Sequence, residues 1–124
     1  MERVLGIGGF FFRARDPKKL AEWYNDRFGI LPVPTSAEGT PWTQQAGVTA
    51  FAPFPADTDY FGKPEQAWMI NFRVSDVNAL IAQLREAGDK VDGDPQEYPP
   101  LGWFARVYDP EGNPVELWQP PVEP

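Results

Sequence analysis

The chain contains no histidine and no cysteine. Any acid–base or metal chemistry must therefore use carboxylates, tyrosine, lysine, arginine or water. Disulfides, thiolate metal sites and cysteine nucleophiles are excluded together. Within those limits Glu116 stands out. It lies in "RVYDPEGNPVELWQP" (106–120), where a turn leads into a short strand, and its neighbours are Val115 and Leu117. A carboxylate on a strand between apolar residues is costly unless something meets its charge. A hard divalent ion would do so, but such a site needs several ligands. A guanidinium would also do so, through a bidentate pair. Arg13, Arg73 and Arg106 lie in segments that read as strands and are the candidates.

The elements that must position these residues fit one compact domain, since 124 residues are too few for two ordinary ones. The net charge is −7, and the 11 Lys and Arg residues form no basic stripe, which argues against a nucleic-acid partner. No run approaches the ~20 apolar residues of a membrane span, and no segment reads as a signal peptide. The lack of cysteine fits a reducing cytoplasm. The acidity favours solubility and would also attract a cationic ligand. The 15 prolines cluster between periodic segments and read as rigid connections.

"VLGIGGFFFRARD" (4–16) has the aromatic enrichment of a strand. "DPKKLAEWYNDRFGI" (16–30) predicts a helix, with Asp16 as N-cap, Pro17 at the first position and Gly29 at the exit. Leu20, Trp23, Tyr24 and Phe28 share one face of it. Short strands are expected near 31–35, 41–46 and 48–54. A turn-rich connector follows at 56–65, and then the pattern restarts. "AWMINFRVSD" (67–76) alternates as a strand, and "DVNALIAQLREAG" (76–88) predicts a second helix capped by Asp76. Strands are expected near 90–95, 103–108 and 114–119, the last two joined by the "DPEGN" turn (109–113). The glycines at 6, 8 and 9 lie inside a strand, so they do not aim a helix N-terminus at a phosphate.

"FRARD" (12–16) matches "FRVSD" (72–76), and each copy runs from a strand into a helix. The chain thus reads as two βαβββ modules, 1–55 and 66–120, with a short Pro-rich tail at 121–124. Two copies with so long a period imply a duplicated domain rather than a solenoid.

This organisation resembles the glyoxalase/bleomycin-resistance/dioxygenase family, the vicinal oxygen chelate superfamily. The resemblance rests on "FFFRARDPKKLAEWYNDRFGI", "MINFRVSDVNALIAQLREAG" and the terminal "ARVYDPEGNPVELWQP". It implies an α+β fold in which curled mixed sheets form a cup with the helices outside. It also implies that Glu116 points into the cup, at the position of a family metal ligand. The family's first-strand ligand positions fall here on Gly9 and Met69, and the first-module counterpart of Glu116 falls near Thr49. None of these suits a hard divalent ion. The expectation is a member without the usual metal site, and without any cofactor.

Strand alternation then sorts the residues. Trp68, Ile70, Phe72 and Val74 form a face for the helices, and Met69, Asn71 and Arg73 the opposite one. Gly9, Phe11 and Arg13 match in the first module. Glu116 and Trp118 face the cup, with Arg106 and Tyr108, or Phe104, beside them. Trp42, Phe51, Tyr60, Phe61 and Trp103 are further aromatic residues that could border it. The expected ligand-binding set is Phe11, Arg13, Phe51, Met69, Asn71, Arg73, Arg106, Tyr108 and Trp118.

Glu116 is expected to meet an arginine there. The pair would plug a vacated metal site, or leave an arginine free to grip an anionic or carbonyl-bearing ligand. Glu116 could instead serve as a general base. Three functions stay open. The first is a metal-free small-molecule binder like the family's drug-binding branch, whose members are homodimers. The second is a metal-independent lyase or isomerase acting on a small carbonyl compound. The third is a module with no ligand.

Overall fold

The computed structural model describes residues 1–122. Residues 123 and 124 of the expected tail lie outside the described residues. There are two helices, α1 (Pro17–Phe28) and α2 (Val77–Glu86). Five strands follow the first helix: β1 (Ile70–Arg73), β2 (Lys90–Val91), β3 (Gln96–Tyr98), β4 (Gly102–Tyr108) and β5 (Pro114–Gln119).

Both helices start as their sequences predict. The Asp16 carboxylate accepts from the Lys19 amide at 3.2 Å, and that of Asp76 accepts from the Ala79 amide at 3.0 Å. Each satisfies an amide that has no partner within its helix. α1 ends at Gly29, whose φ of 73° lets its amide turn back to the Asn25 carbonyl.

The strands form one mixed sheet in the order β1-β5-β4-β2, with β3 also paired to β4. β1 runs parallel to β5, and the other pairs are antiparallel. Register decides which side chains share a face. Ile70 lies opposite Val115, Phe72 opposite Leu117, Val107 opposite Val115 and Ala105 opposite Leu117. These residues pack beneath Val77, Ile81 and Leu84 of α2 and beneath Leu20, Trp23 and Tyr24 of α1. One face of the sheet is therefore covered by both helices, and the other is left open.

The strand expected at 90–95 is cut short: β2 ends at Val91, and β3 begins only beyond that range, at Gln96. Gly93 adopts a φ of 75° and Pro95 has no amide hydrogen to donate, so the ladder is interrupted between them.

The first module departs further from expectation. No strand forms at 4–16, 31–35, 41–46 or 48–54. Outside the helices, no backbone–backbone hydrogen bond joins residues 1–15 or 40–54 to anything in the described chain. Alternation gave these segments strand character, but a ladder also needs a second edge in register. The described residues offer them none. Two side-chain interactions approach the sheet instead. Phe10 and Phe12 pack on Trp68 at 5.1 and 5.0 Å between ring centroids. Residues 45 and 46 are held by Arg73, whose guanidinium lies so close to Gly47 that any side chain there would collide with it.

The "DPEGN" turn is built around Asp109, which is only 4% exposed. One carboxylate oxygen accepts from the Glu111 and Asn113 amides, at 2.9 and 3.0 Å. The other accepts from Asn113 Nδ2 at 2.8 Å and from the Tyr24 hydroxyl at 2.7 Å. Gly112 closes the turn at a φ of 82°. Glu111 then reaches back to accept from the Arg15 and Asp16 amides at 2.7 and 3.0 Å. Those two bonds hold its carboxyl below the usual carboxylate range. Replacing Asp109 with Ala strands the buried Tyr24 hydroxyl and loosens the turn. The expected loss is about 3 kcal/mol of unfolding free energy, read from urea denaturation against wild type. A loss below about 1 kcal/mol would show that the buried carboxylate is not what holds the turn to α1.

Candidate functional site

The open face is set by the same register that builds the core. Asn71 and Arg73 of β1, Glu116 and Trp118 of β5, and Phe104, Arg106 and Tyr108 of β4 all alternate away from the helices. Asn71, Glu116 and Arg106 make one row across the three strands, and Arg73, Trp118 and Phe104 make the next. A charged and polar row thus lies directly beside an aromatic one. Phe104 and Trp118 lie nearly parallel, 13° apart with centroids at 6.2 Å. Tyr98 of β3 meets Phe104 edge-on at 5.9 Å. The Trp118 indole donates to the Leu101 carbonyl at 2.8 Å, which fixes the ring's orientation.

Glu116 does not pair with an arginine. Its Oε1 accepts from Asn71 Nδ2 at 2.7 Å, and its Oε2 accepts from the Tyr60 hydroxyl. The reason is reach. Arg106 stands directly opposite Glu116, but its long side chain extends past the carboxylate to the Tyr60 carbonyl, 2.6 Å from Nη2. Its guanidinium also lies over the Tyr60 ring at 4.7 Å. Arg73 donates to the Gln45 carbonyl at 2.7 Å and the Ala46 carbonyl at 3.4 Å. Arg13 is exposed, on a segment that forms no ladder. Both arginines of the sheet are thus engaged by backbone carbonyls, and the carboxylate is met by neutral donors.

Of the expected ligand-binding residues, Asn71, Arg73, Arg106, Tyr108 and Trp118 share this face with Glu116. Tyr108 sits toward its far end, beneath the Lys90 ammonium at 4.7 Å and 3.4 Å from Asp92. Met69 is half-buried just before β1. Phe11 and Phe51 are not brought to the face: they are 91% and 87% exposed, on segments without a ladder. Trp103 alternates to the other side and packs against the core. Tyr60 is the residue whose role sequence reasoning understated. It was one of several possible border aromatics, and nothing in the spacing of a turn-rich connector points to Glu116.

A surface concavity of about 520 Å³ lies elsewhere, between α1 and the Pro110–Glu111 turn. Its rim mixes Arg15, Lys19 and Arg27 with Asp16, Glu22 and Asp26. Trp23 contributes to its lining but is only 7% exposed, with its ring packed in the core, so the open sheet face remains the better candidate.

A family profile described as the Glyoxalase/Bleomycin resistance protein/Dioxygenase superfamily matches residues 6–117, and the chain belongs to that superfamily. The chain is similar to TnmS3, an antibiotic-binding protein from Streptomyces sp. CB03234. The two are 25% identical over 97% of this chain and 99% of that one, with a TM-score of 0.64. TioX from Micromonospora sp. ML1 shares the fold at 20% identity, over 90% and 93% of the two chains, with a TM-score of 0.54. So does the trypanothione-dependent glyoxalase I of Leishmania major, at 21% identity, 87% and 81% coverage and a TM-score of 0.52. A comparison with curated proteins gives no match.

The superfamily's metal-dependent members raise the question of a divalent ion. Among the described residues no three Asp or Glu side chains converge. Glu116 is held by an amide and a phenol, and Met69 offers no hard donor. This donor set does not fit a resident divalent ion.

Partial burial and the Glu116 hydrogen bond together push the Tyr60 phenol above its ordinary range, while Arg106 acts weakly the other way. Tyr24 is raised further, by burial first and then by Asp109. In a spectrophotometric titration two of the four tyrosines should therefore ionise late. Tyr60→Phe should remove one late phase. Glu116→Gln should move that phase back toward the ordinary range without reaching it, since burial remains. A late phase unchanged in Glu116→Gln would mean that the Tyr60–Glu116 contact does not persist in solution.

Proposed function

We propose that this chain is a small-molecule-binding member of its superfamily that works without the usual divalent metal, as a homodimer in the cytoplasm. The observation that carries this reading is the open sheet face. There the parallel rings of Phe104 and Trp118 adjoin a row of fixed hydrogen-bonding groups, Asn71, Glu116 and Arg106. Small-molecule sites commonly combine an apolar surface with a few well-placed polar groups. Likeness to TnmS3 over nearly the full length of both chains supports an antibiotic or a similar organic compound as the ligand class.

The dimer is supported by the first module. Among the described residues, 1–15 and 40–54 make no backbone–backbone hydrogen bond, and only a few of their backbone groups meet a side chain instead. They also expose Val4, Leu5, Phe11, Val48 and Phe51. β1 is at the same time an open sheet edge. A second copy supplies what both lack: an edge for the unpaired segments and a cover for the apolar side chains. The lack of cysteine, and of a long apolar helix among the described residues, is compatible with the cytoplasm.

A thermal-shift screen of planar aromatic antibiotics and small carboxylates tests the binding reading. A true ligand at 100 times its dissociation constant adds about 2.7 kcal/mol to stability. Trp118→Ala should weaken that ligand by about tenfold or more. A chelator should leave affinity unchanged. No shift with any compound, or binding abolished by chelator, would overturn the reading. Light scattering should give twice the 14.0 kDa chain mass, and Phe11→Asp with Phe51→Asp should lower it. A monomeric wild type would remove the dimer from the proposal.

A further inference from the structure

Tyr60 lies in no helix or strand, yet its hydroxyl is donated to Glu116 in the middle of the open face. It comes from the connector, whose backbone is a run of turns. Arg106 holds the Tyr60 carbonyl and lies over the ring, and Phe54 stacks beside that ring at 5.7 Å and 18°. Neither partner needs the contact to stay satisfied. Tyr60 is 43% exposed, so water can accept from its hydroxyl. Glu116 is half-buried and keeps Asn71 as a donor. A bond that neither group requires can be exchanged for an equivalent one at little cost. In chemical terms the face already binds a phenol, supplied by the chain itself. Its hydroxyl is on a carboxylate, its ring is under a guanidinium, and the Phe104–Trp118 pair occupies the next row.

We propose, building on the small-molecule reading above, that Tyr60 is an internal stand-in for the ligand. The site takes an aromatic compound whose ring hydroxyl replaces that of Tyr60 on Glu116. The exchange makes one hydrogen bond and breaks one, and no covalent bond changes. The displaced Tyr60 hydroxyl passes to water, and Arg106 is released with the connector to face the bound ring. Selectivity follows. An aromatic compound without a donor would cover the carboxylate while leaving it unpaired, which a polar site penalises.

Calorimetric titration of the full chain with β-naphthol and with its methyl ether tests this, in wild type, Tyr60→Phe and Glu116→Leu. Wild type should prefer the naphthol by about tenfold, and Glu116→Leu should lose that preference. Tyr60→Phe should bind the naphthol roughly three- to tenfold more tightly, because the competing internal bond is gone. Equal binding of the two compounds by wild type would overturn the hydroxyl exchange and leave the aromatic-binding face intact. Weaker naphthol binding by Tyr60→Phe would do the same, making Tyr60 a ligand contact instead. If neither compound binds any variant while the antibiotic screen is positive, the exchange alone is wrong. If both experiments are negative, the small-molecule reading falls with it.

Discussion

The buried carboxylate of Asp109 is the constraint on which the rest of the molecule depends. It takes four hydrogen bonds, three that shape the β4–β5 turn and one from Tyr24 on α1. A carboxylate this deep is tolerable only because each oxygen is met by two donors. The turn fixes the β4–β5 register, which in turn fixes which residues face the helices and which face outward. A one-residue slip would exchange Val115 and Leu117 for Glu116 and Trp118 in the core. The position of Glu116 therefore follows from contacts in the turn that starts its strand.

α1 is tied to the second half of the chain by polar tips on apolar bodies. Trp23 and Tyr24 bury their rings in the core and send their donors to Asp89 and Asp109. Arg27 adds a 2.5 Å bond to Asp89 from the same helix. Glu111 caps the amides before α1 from outside, while Asp16 caps it from within. These contacts explain how α1 is firmly seated although the segments on either side of it form no ladder. The helix belongs energetically to the sheet of the second module, and the strands expected around it do not.

Legibility in the sequence followed the range of the forces involved. Asp16, Asp76 and Gly29 act within one helical turn, so the helices could be read directly. The alternation in "MINFRVSD" and "PVELWQ" was equally plain, and so was the turn between β4 and β5. From it came the grouping of Asn71, Arg73, Arg106, Tyr108, Glu116 and Trp118. Three features were not legible. The ladder of the first module depends on an edge that no local pattern specifies. The early end of β2 was missed although Gly93 and Pro95 both interrupt a ladder there. The partner of Glu116 depended on where a connector without periodicity comes to rest. It also depended on how far an arginine reaches, and Arg106 passes its cross-strand neighbour to find a carbonyl.

That last point changes how charge bears on ligand choice. The net charge of −7 suggests a cationic ligand, and the arginines of the sheet suggest an anionic one. The geometry weakens both arguments. Long-range charge is screened within about 8 Å at physiological salt, so the net charge guides encounter more than it selects at the face. Locally, Arg73 and Arg106 are taken up by carbonyls and Glu116 by an amide and a phenol. To bind an anion, the face must give up an arginine–carbonyl bond. To bind a cation at Glu116, it must displace Tyr60 and accept a charge within reach of Arg106, which opposes it. A neutral ring that carries a donor must also displace Tyr60 and free Arg106 from its carbonyl, but it returns a donor to Glu116 and brings no charge for Arg106 to oppose. On the proposed reading the face would therefore discriminate by shape and by the direction of one hydrogen bond rather than by charge.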